Sequence, residues 1–126
     1  MLIFTSLYQN LKDALTASLL WENPNPTSNF NGQLLNTLSL RPYSKIIIRF
    51  ARSKTVNEEV YDLISLKGGV SSICYFPDTT DVRRKVVVYN ETTISFGDGE
   101  QRDSYSGGWA TGFNGQCIPL KIWGLK

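Results

Sequence analysis

Few side chains in this sequence are suited to chemistry. It contains no histidine, which excludes the commonest general base and the Ser–His and Cys–His nucleophile pairs. Its two cysteines, Cys74 and Cys117, lie far apart and lack the imidazole partners that usually complete a zinc site. Both sit beside apolar residues, in Ile73-Cys74-Tyr75-Phe76 and Cys117-Ile118, where buried free thiols are expected. A disulfide between them requires neighbouring strands, and the sequence leaves that open.

Carboxylates remain, since a glycoside hydrolase needs only two acids at a suitable separation. Asp98, Glu100 and Asp103 stand close together in sequence and could also offer oxygen ligands to calcium. Their spacing does not match an EF-hand loop. Gly97-Asp98-Gly99 lacks the lysine and the spacing of a phosphate loop, and there is no GxSxG elbow. Asp and Gly are the usual residues of turns, so these acids read as turn residues. The chain is expected to be non-enzymatic, with no cofactor and no metal.

The stronger candidate is aromatic. Tyr105, Trp109 and Phe113 recur at four-residue intervals in the Gly-rich stretch 97–116, with Asn114 and Gln116 as hydrogen-bonding neighbours. Tyr and Trp present flat apolar faces with one polar handle, which suits sugar rings and partner proteins. Tyr105, Trp109, Phe113 and Asn114 are the expected ligand-binding set. Core or interface packing is the competing role for Trp109 and Phe113, while Tyr105, flanked by serines, is the best placed for exposure. Gly107, Gly108 and Gly112 argue against a helix here, each costing about 1 kcal/mol in a helix interior. Unstructured loops longer than about 12–15 residues are usually functional or disordered. A short strand around Trp109 would shorten this one.

The elements that must carry such a loop are strands. From Gln33 onward the apolar pattern has period two: Leu34, Leu38 and Leu40 share a parity, and so do Ile46, Ile48 and Phe50. Further runs cover 60–66, 71–76, 85–89, 92–96 and 117–123, with turn signals at Gly68-Gly69, Pro77-Asp78 and Asn90-Glu91. About seven short strands at this spacing predict an antiparallel β-sandwich, jelly-roll-like in type. Before them, Leu7, Leu11, Leu15 and Leu19 recur every fourth residue and predict an amphipathic helix over residues 5–20. It ends at Asn23-Pro24-Asn25-Pro26, where each proline forces an extended predecessor. The expected organisation is a helical stalk or anchor at 1–22, a Pro-rich connector at 23–33 and a β head at 34–126. Trp21, beside the connector, is expected to be a packing anchor.

Composition sets the outer limits. The 126 residues fit one core, and 41% apolar with 19% charged residues is a globular balance. A formal net charge of +2 from 13 basic and 11 acidic residues gives no footprint for nucleic acid. Arg83-Arg84-Lys85, the densest basic run, reads as a solvated strand start. No apolar run approaches the roughly 20 residues of a membrane span, so no membrane insertion is expected. Met1-Leu2-Ile3-Phe4 has no basic region before it, so no signal peptide is expected either.

Two stretches carry a resemblance. Trp21-Glu22-Asn23-Pro24-Asn25-Pro26-Thr27-Ser28-Asn29-Phe30 and Cys117-Ile118-Pro119-Leu120-Lys121-Ile122-Trp123-Gly124 bracket the β region. Together they resemble the small end domains of tail-fibre and minor tail structural proteins in phages and prophages of Gram-positive and gut bacteria. The resemblance spans residues 20–126 in order and ends, with no motif in the middle. It implies a virion protein made in the host cytoplasm. It further implies a homotrimer with other tail proteins as partners, used in attachment to a host-cell surface glycan. A non-binding head-fibre, decoration or fibre-capping role is the alternative, ahead of a glycan-cleaving depolymerase. The resemblance transfers no site residues.

Overall fold

Alternation between inside and outside builds this molecule. In the strand Lys45–Ser53 the side chains of Ile46, Ile48 and Phe50 are buried while Lys45 is exposed, as period two requires. The computed structural model describes residues 17–56, 58–66, 70–77, 80–103 and 107–126. Within them run β1 (Ser18–Glu22), β2 (Gln33–Leu35), β3 (Lys45–Ser53), β4 (Glu59–Ser65) and β5 (Val70–Phe76). They are followed by β6 (Thr80–Val88), β7 (Ile94–Phe96), β8 (Glu100–Asp103), β9 (Ala110–Thr111) and β10 (Gln116–Leu125).

These strands form two antiparallel sheets that share one core, an arrangement that fits a β-sandwich. The four-stranded sheet has the order β1-β10-β3-β4. In the six-stranded sheet, β5 lies along one edge of β6, pairing Phe76 with Val82 through Val70 with Val88. The other edge of β6 is shared, by β7 at Val86–Val88 and by β8 at Thr80–Arg83. β7 and β8 are therefore one interrupted strand. The break at Gly97–Gly99 admits one extra residue, since Val86 pairs with Phe96 but Val82 with Gln101.

Phe96 is the hub of the aromatic core, edge-on to Phe30 at 5.4 Å and to Phe50 at 6.3 Å, with Trp21 6.3 Å away. Trp21 is the packing anchor its position suggested. The outer face of the four-stranded sheet carries a contrasting feature. Leu19, Trp123, Ile47 and Leu63 are cross-strand neighbours in one row over all four strands, and Leu19 and Leu63 are more than half exposed.

Two expectations are corrected. The predicted helix over 5–20 was to end near Leu20, but Ser18–Glu22 is strand, and no helix occurs among the described residues. Pairing with β10, Ser18 to Gly124 and Glu22 to Lys121, satisfies this backbone in place of a helical ladder. Residues 5–16 of that prediction lie outside the described residues, as does the Gly68-Gly69 turn. Ten strands occur among the described residues rather than about seven, the additions being β1, β8 and β9. The Pro-rich segment is pinned to the head at both ends. Asn23 donates from its backbone N to Leu120 O at 2.9 Å and from Nδ2 to Pro119 O at 2.9 Å, and Phe30 donates to Asn114 O at 2.8 Å.

Candidate functional site

Alternation along β6 sends adjacent arginines to opposite faces. Arg84 points inward with Val82 and Val86 and is fully buried. Among the described residues it has no carboxylate hydrogen-bond partner. Instead Nε donates to Cys117 O at 2.8 Å, Nη1 to Gly97 O at 2.7 Å and Nη2 to Gln116 O at 2.9 Å. The guanidinium lies 5.3 Å from the centre of the Phe30 ring. Burial pushes its pKa down to about 10, against the opposing pull of Cys117, Cys74 and Asp98. A charge in such a place is tolerated only when its donors are used, and here three of the five are. The partners are telling: Gly97 is in the β7–β8 break, and Cys117 has a left-handed φ of 47° that a non-glycine residue rarely adopts. Arg84 ties the two irregular segments together.

The tie is completed by backbone. Phe113 donates to Gly99 O at 3.0 Å, Asn114 Oδ1 accepts from Gly99 N at 2.8 Å, and Gln116 donates to Phe113 O at 3.1 Å. A Cβ on Gly99 would fall 2.0 Å from Phe113 O, so only glycine permits this approach. The side-chain oxygen of Asn114, one of the expected ligand-binding residues, is engaged by the Gly99 backbone. Phe113 is 37% exposed.

The outer face of the same sheet gathers a different set. Tyr75, Arg83 and Glu100 form one cross-strand row, and Asp81 pairs with Arg102 in the next. Trp109, leading into β9, lies over both arginines, with ring-centre distances of 4.0 Å to Arg83 and 4.6 Å to Arg102. Tyr75 meets it edge-on at 6.2 Å. Each arginine also holds a carboxylate: Arg83 Nε donates to Glu100 at 3.2 Å, and Arg102 Nε to the buried Asp81 at 2.9 Å. The hydrogen bond to Asp81, and then one to Tyr75, raises the Arg102 pKa above its ordinary value. The positive charges are thus neutralised at the base, leaving a half-buried indole edged by a partly exposed tyrosine. Such a platform can stack on an apolar ring face and donate hydrogen bonds at its margin.

Of the predicted set, Trp109 is the residue the structure builds into this cluster, and Tyr105 lies outside the described residues. Sequence reasoning missed Tyr75, Arg83 and Arg102. The signal available for them was strand parity: Tyr75 is out of phase with the buried Cys74 and Phe76, and Arg83 with Val82 and Val86.

The remaining candidates have structural partners. Asp98 Oδ1 accepts from Gly32 N at 2.7 Å, and Asp103 accepts from Thr80 Oγ1 at 3.4 Å. Among the described residues no group of three His, Cys, Asp or Glu side chains converges as a metal site would. Cys74 and Cys117 are both buried free thiols. Burial, and then a hydrogen bond to Cys117, pushes the Cys74 thiol well above its usual pKa, so it stays protonated and unreactive. No protein-family model matches the chain, and no curated protein or solved structure matches it.

Proposed function

We propose that this chain is a non-catalytic phage virion module. In this reading it is a jelly-roll-like head domain at a tail-fibre or baseplate tip that attaches to a host-cell surface glycan as a homotrimer. The observation that carries this reading is the Trp109–Tyr75 platform over Arg83 and Arg102 on the outer face of the six-stranded sheet. Stacking on such a platform gives a single weak contact, and three copies in one assembly would multiply it by avidity. The row Leu19, Trp123, Ile47 and Leu63, exposed at Leu19 and Leu63 and half-buried at Trp123 and Ile47, is apolar surface that assembly would bury.

A second reading, a virion part that binds no glycan, is favoured by one feature. Trp109 is held by two arginines and Asn114 is turned inward, as packing residues are. Host-cell binding by the full chain separates the two. If the platform is the attachment site, Trp109→Ala with Tyr75→Ala abolishes binding while the far-ultraviolet spectrum is unchanged. Retained binding sinks the platform as receptor site, and absence of binding by the parent chain favours the second reading. A monomer by light scattering at micromolar concentration would count against the trimer.

A further inference from the structure

At the far end of β6 from Trp109 lies a cavity of about 260 Å³. From Arg83 to Val88 is five residues of strand, about 17 Å at 3.3 Å per residue, so the cavity and the platform are separate. Its apolar lining is Leu40, Leu66 and Val88, and its other walls are Tyr43, Tyr89 and the Asn90-Glu91 turn, with Arg41 beside them.

The backbone around the cavity, with the Tyr43 ring and the Asn90 amide, is held by contacts within the fold. Leu38 donates to Thr92 O at 3.0 Å and Leu40 to Glu91 O at 2.9 Å, locking the β2–β3 connection to the β6–β7 turn. The Tyr43 ring lies over Gly124, where a Cβ would come within 2.6 Å of it. Asn90 Oδ1 accepts from both Thr92 N and Thr92 Oγ1, which sets the amide plane and leaves Nδ2 as a donor. No hydrogen bond or ion pair among the described residues occupies the Arg41 guanidinium or the Glu91 carboxylate. Tyr89 is 64% exposed.

We infer that this cavity is a binding site for a single neutral pyranose, such as the terminal residue of a glycan. Tyrosine faces suit the C–H side of a sugar ring, and planar Arg, Asn and Glu groups suit its paired hydroxyls, which both donate and accept. Arg41 and Glu91 offset each other in charge, which favours a neutral ring over an acidic one. Drug-sized ligands fill pockets of about 300–1,000 Å³, so a cavity of this size takes one substituted ring and not a chain of them.

The test is a heteronuclear NMR titration of the full chain with glucose, galactose, N-acetylglucosamine and, as the charged contrast, N-acetylneuraminic acid. The expected result is saturable shifts of the Tyr89, Asn90 and Glu91 amides with at least one neutral sugar by about 10 mM. Tyr89→Ala, at an exposed position that leaves the fold intact, should weaken that binding about tenfold, and Trp109→Ala should leave it unchanged. No saturable shift with any neutral sugar, a response to the acidic sugar alone, or undiminished binding by Tyr89→Ala overturns the inference. Because Trp109→Ala is the variant that tests attachment through the platform, failure of one site is distinguishable from failure of the other.

Discussion

Arg83 and Arg84 are adjacent in sequence and opposite in role. Arg84 is buried against three backbone carbonyls from two irregular segments. Arg83 lies on the outer face, paired to Glu100 and stacked with Trp109. The inner site satisfies three backbone acceptors, one in the β7–β8 break and two at the start of β10 beside the left-handed φ of Cys117. The outer site satisfies side chains and leaves an aromatic edge to solvent. One arginine therefore holds the geometry of the Gly97–Cys117 region, and the other presents what that region carries.

The contrast breaks most directly at Arg84. Arg84→Met keeps an apolar stem of similar length but strips the donors from Gly97 O, Gln116 O and Cys117 O. At about 1–3 kcal/mol for each unpaired buried group, less whatever relaxation or water entry recovers, the expected loss is about 3–5 kcal/mol. Urea unfolding measures it, and a midpoint near that of the parent chain would remove Arg84 from its place in the fold. Gly99→Ala acts on the same junction through the backbone. Its methyl cannot coexist with Phe113 O, so the two segments must part, at a cost of about 1–3 kcal/mol. Hydrogen exchange should quicken at Gly99 and Phe113 and stay slow in β3.

On the outer face the effect on stability should be smaller. Trp109→Ala removes a half-buried ring from an already ion-paired surface, and about 1 kcal/mol of lost packing is expected. If it instead costs as much as Arg84→Met, Trp109 is part of the core and the distinction between the faces fails.

Much of the inner face was legible in the sequence, because the alternation of Ile46, Ile48 and Phe50 needs no knowledge of partners. Parity also gives Arg84, in phase with Val82 and Val86, but a run of three basic residues reads as solvated unless one knows that carbonyls wait opposite. Those carbonyls lie in the break at Gly97–Gly99 and at the left-handed start of β10, and both features depend on long-range pairing. β1 was hidden for a different reason: the spacing of Leu7, Leu11, Leu15 and Leu19 continues a helical period into residues that an edge pairing with β10 claims. Trp109 was found as an aromatic in a Gly-rich stretch, while Tyr75 and Arg102 come from other strands and meet it only in the fold.

Asp62 offers the finest test of the same contrast, because it is an inward-facing charge without Arg84's provisions. It pairs with Ile48 across β3 and β4, and its Oδ2 is buried with no hydrogen-bond partner among the described residues. Burial raises its pKa above the ordinary carboxylate value. The folded state then holds the proton more tightly than the unfolded chain. The stabilisation from this group is full below the unfolded pKa near 4 and is lost as pH rises through the higher folded value. Asp62→Asn should therefore be more stable than the parent chain at pH 7, by no more than about 1 kcal/mol because the side chain is only partly desolvated. The two should converge near pH 3. Equal midpoints at both pH values would mean that the carboxylate finds compensation in the folded state after all. A gain at pH 7 alone would show that what makes an inward charge tolerable in this sandwich is the set of acceptors or donors that greets it, as at Arg84, and not the position itself.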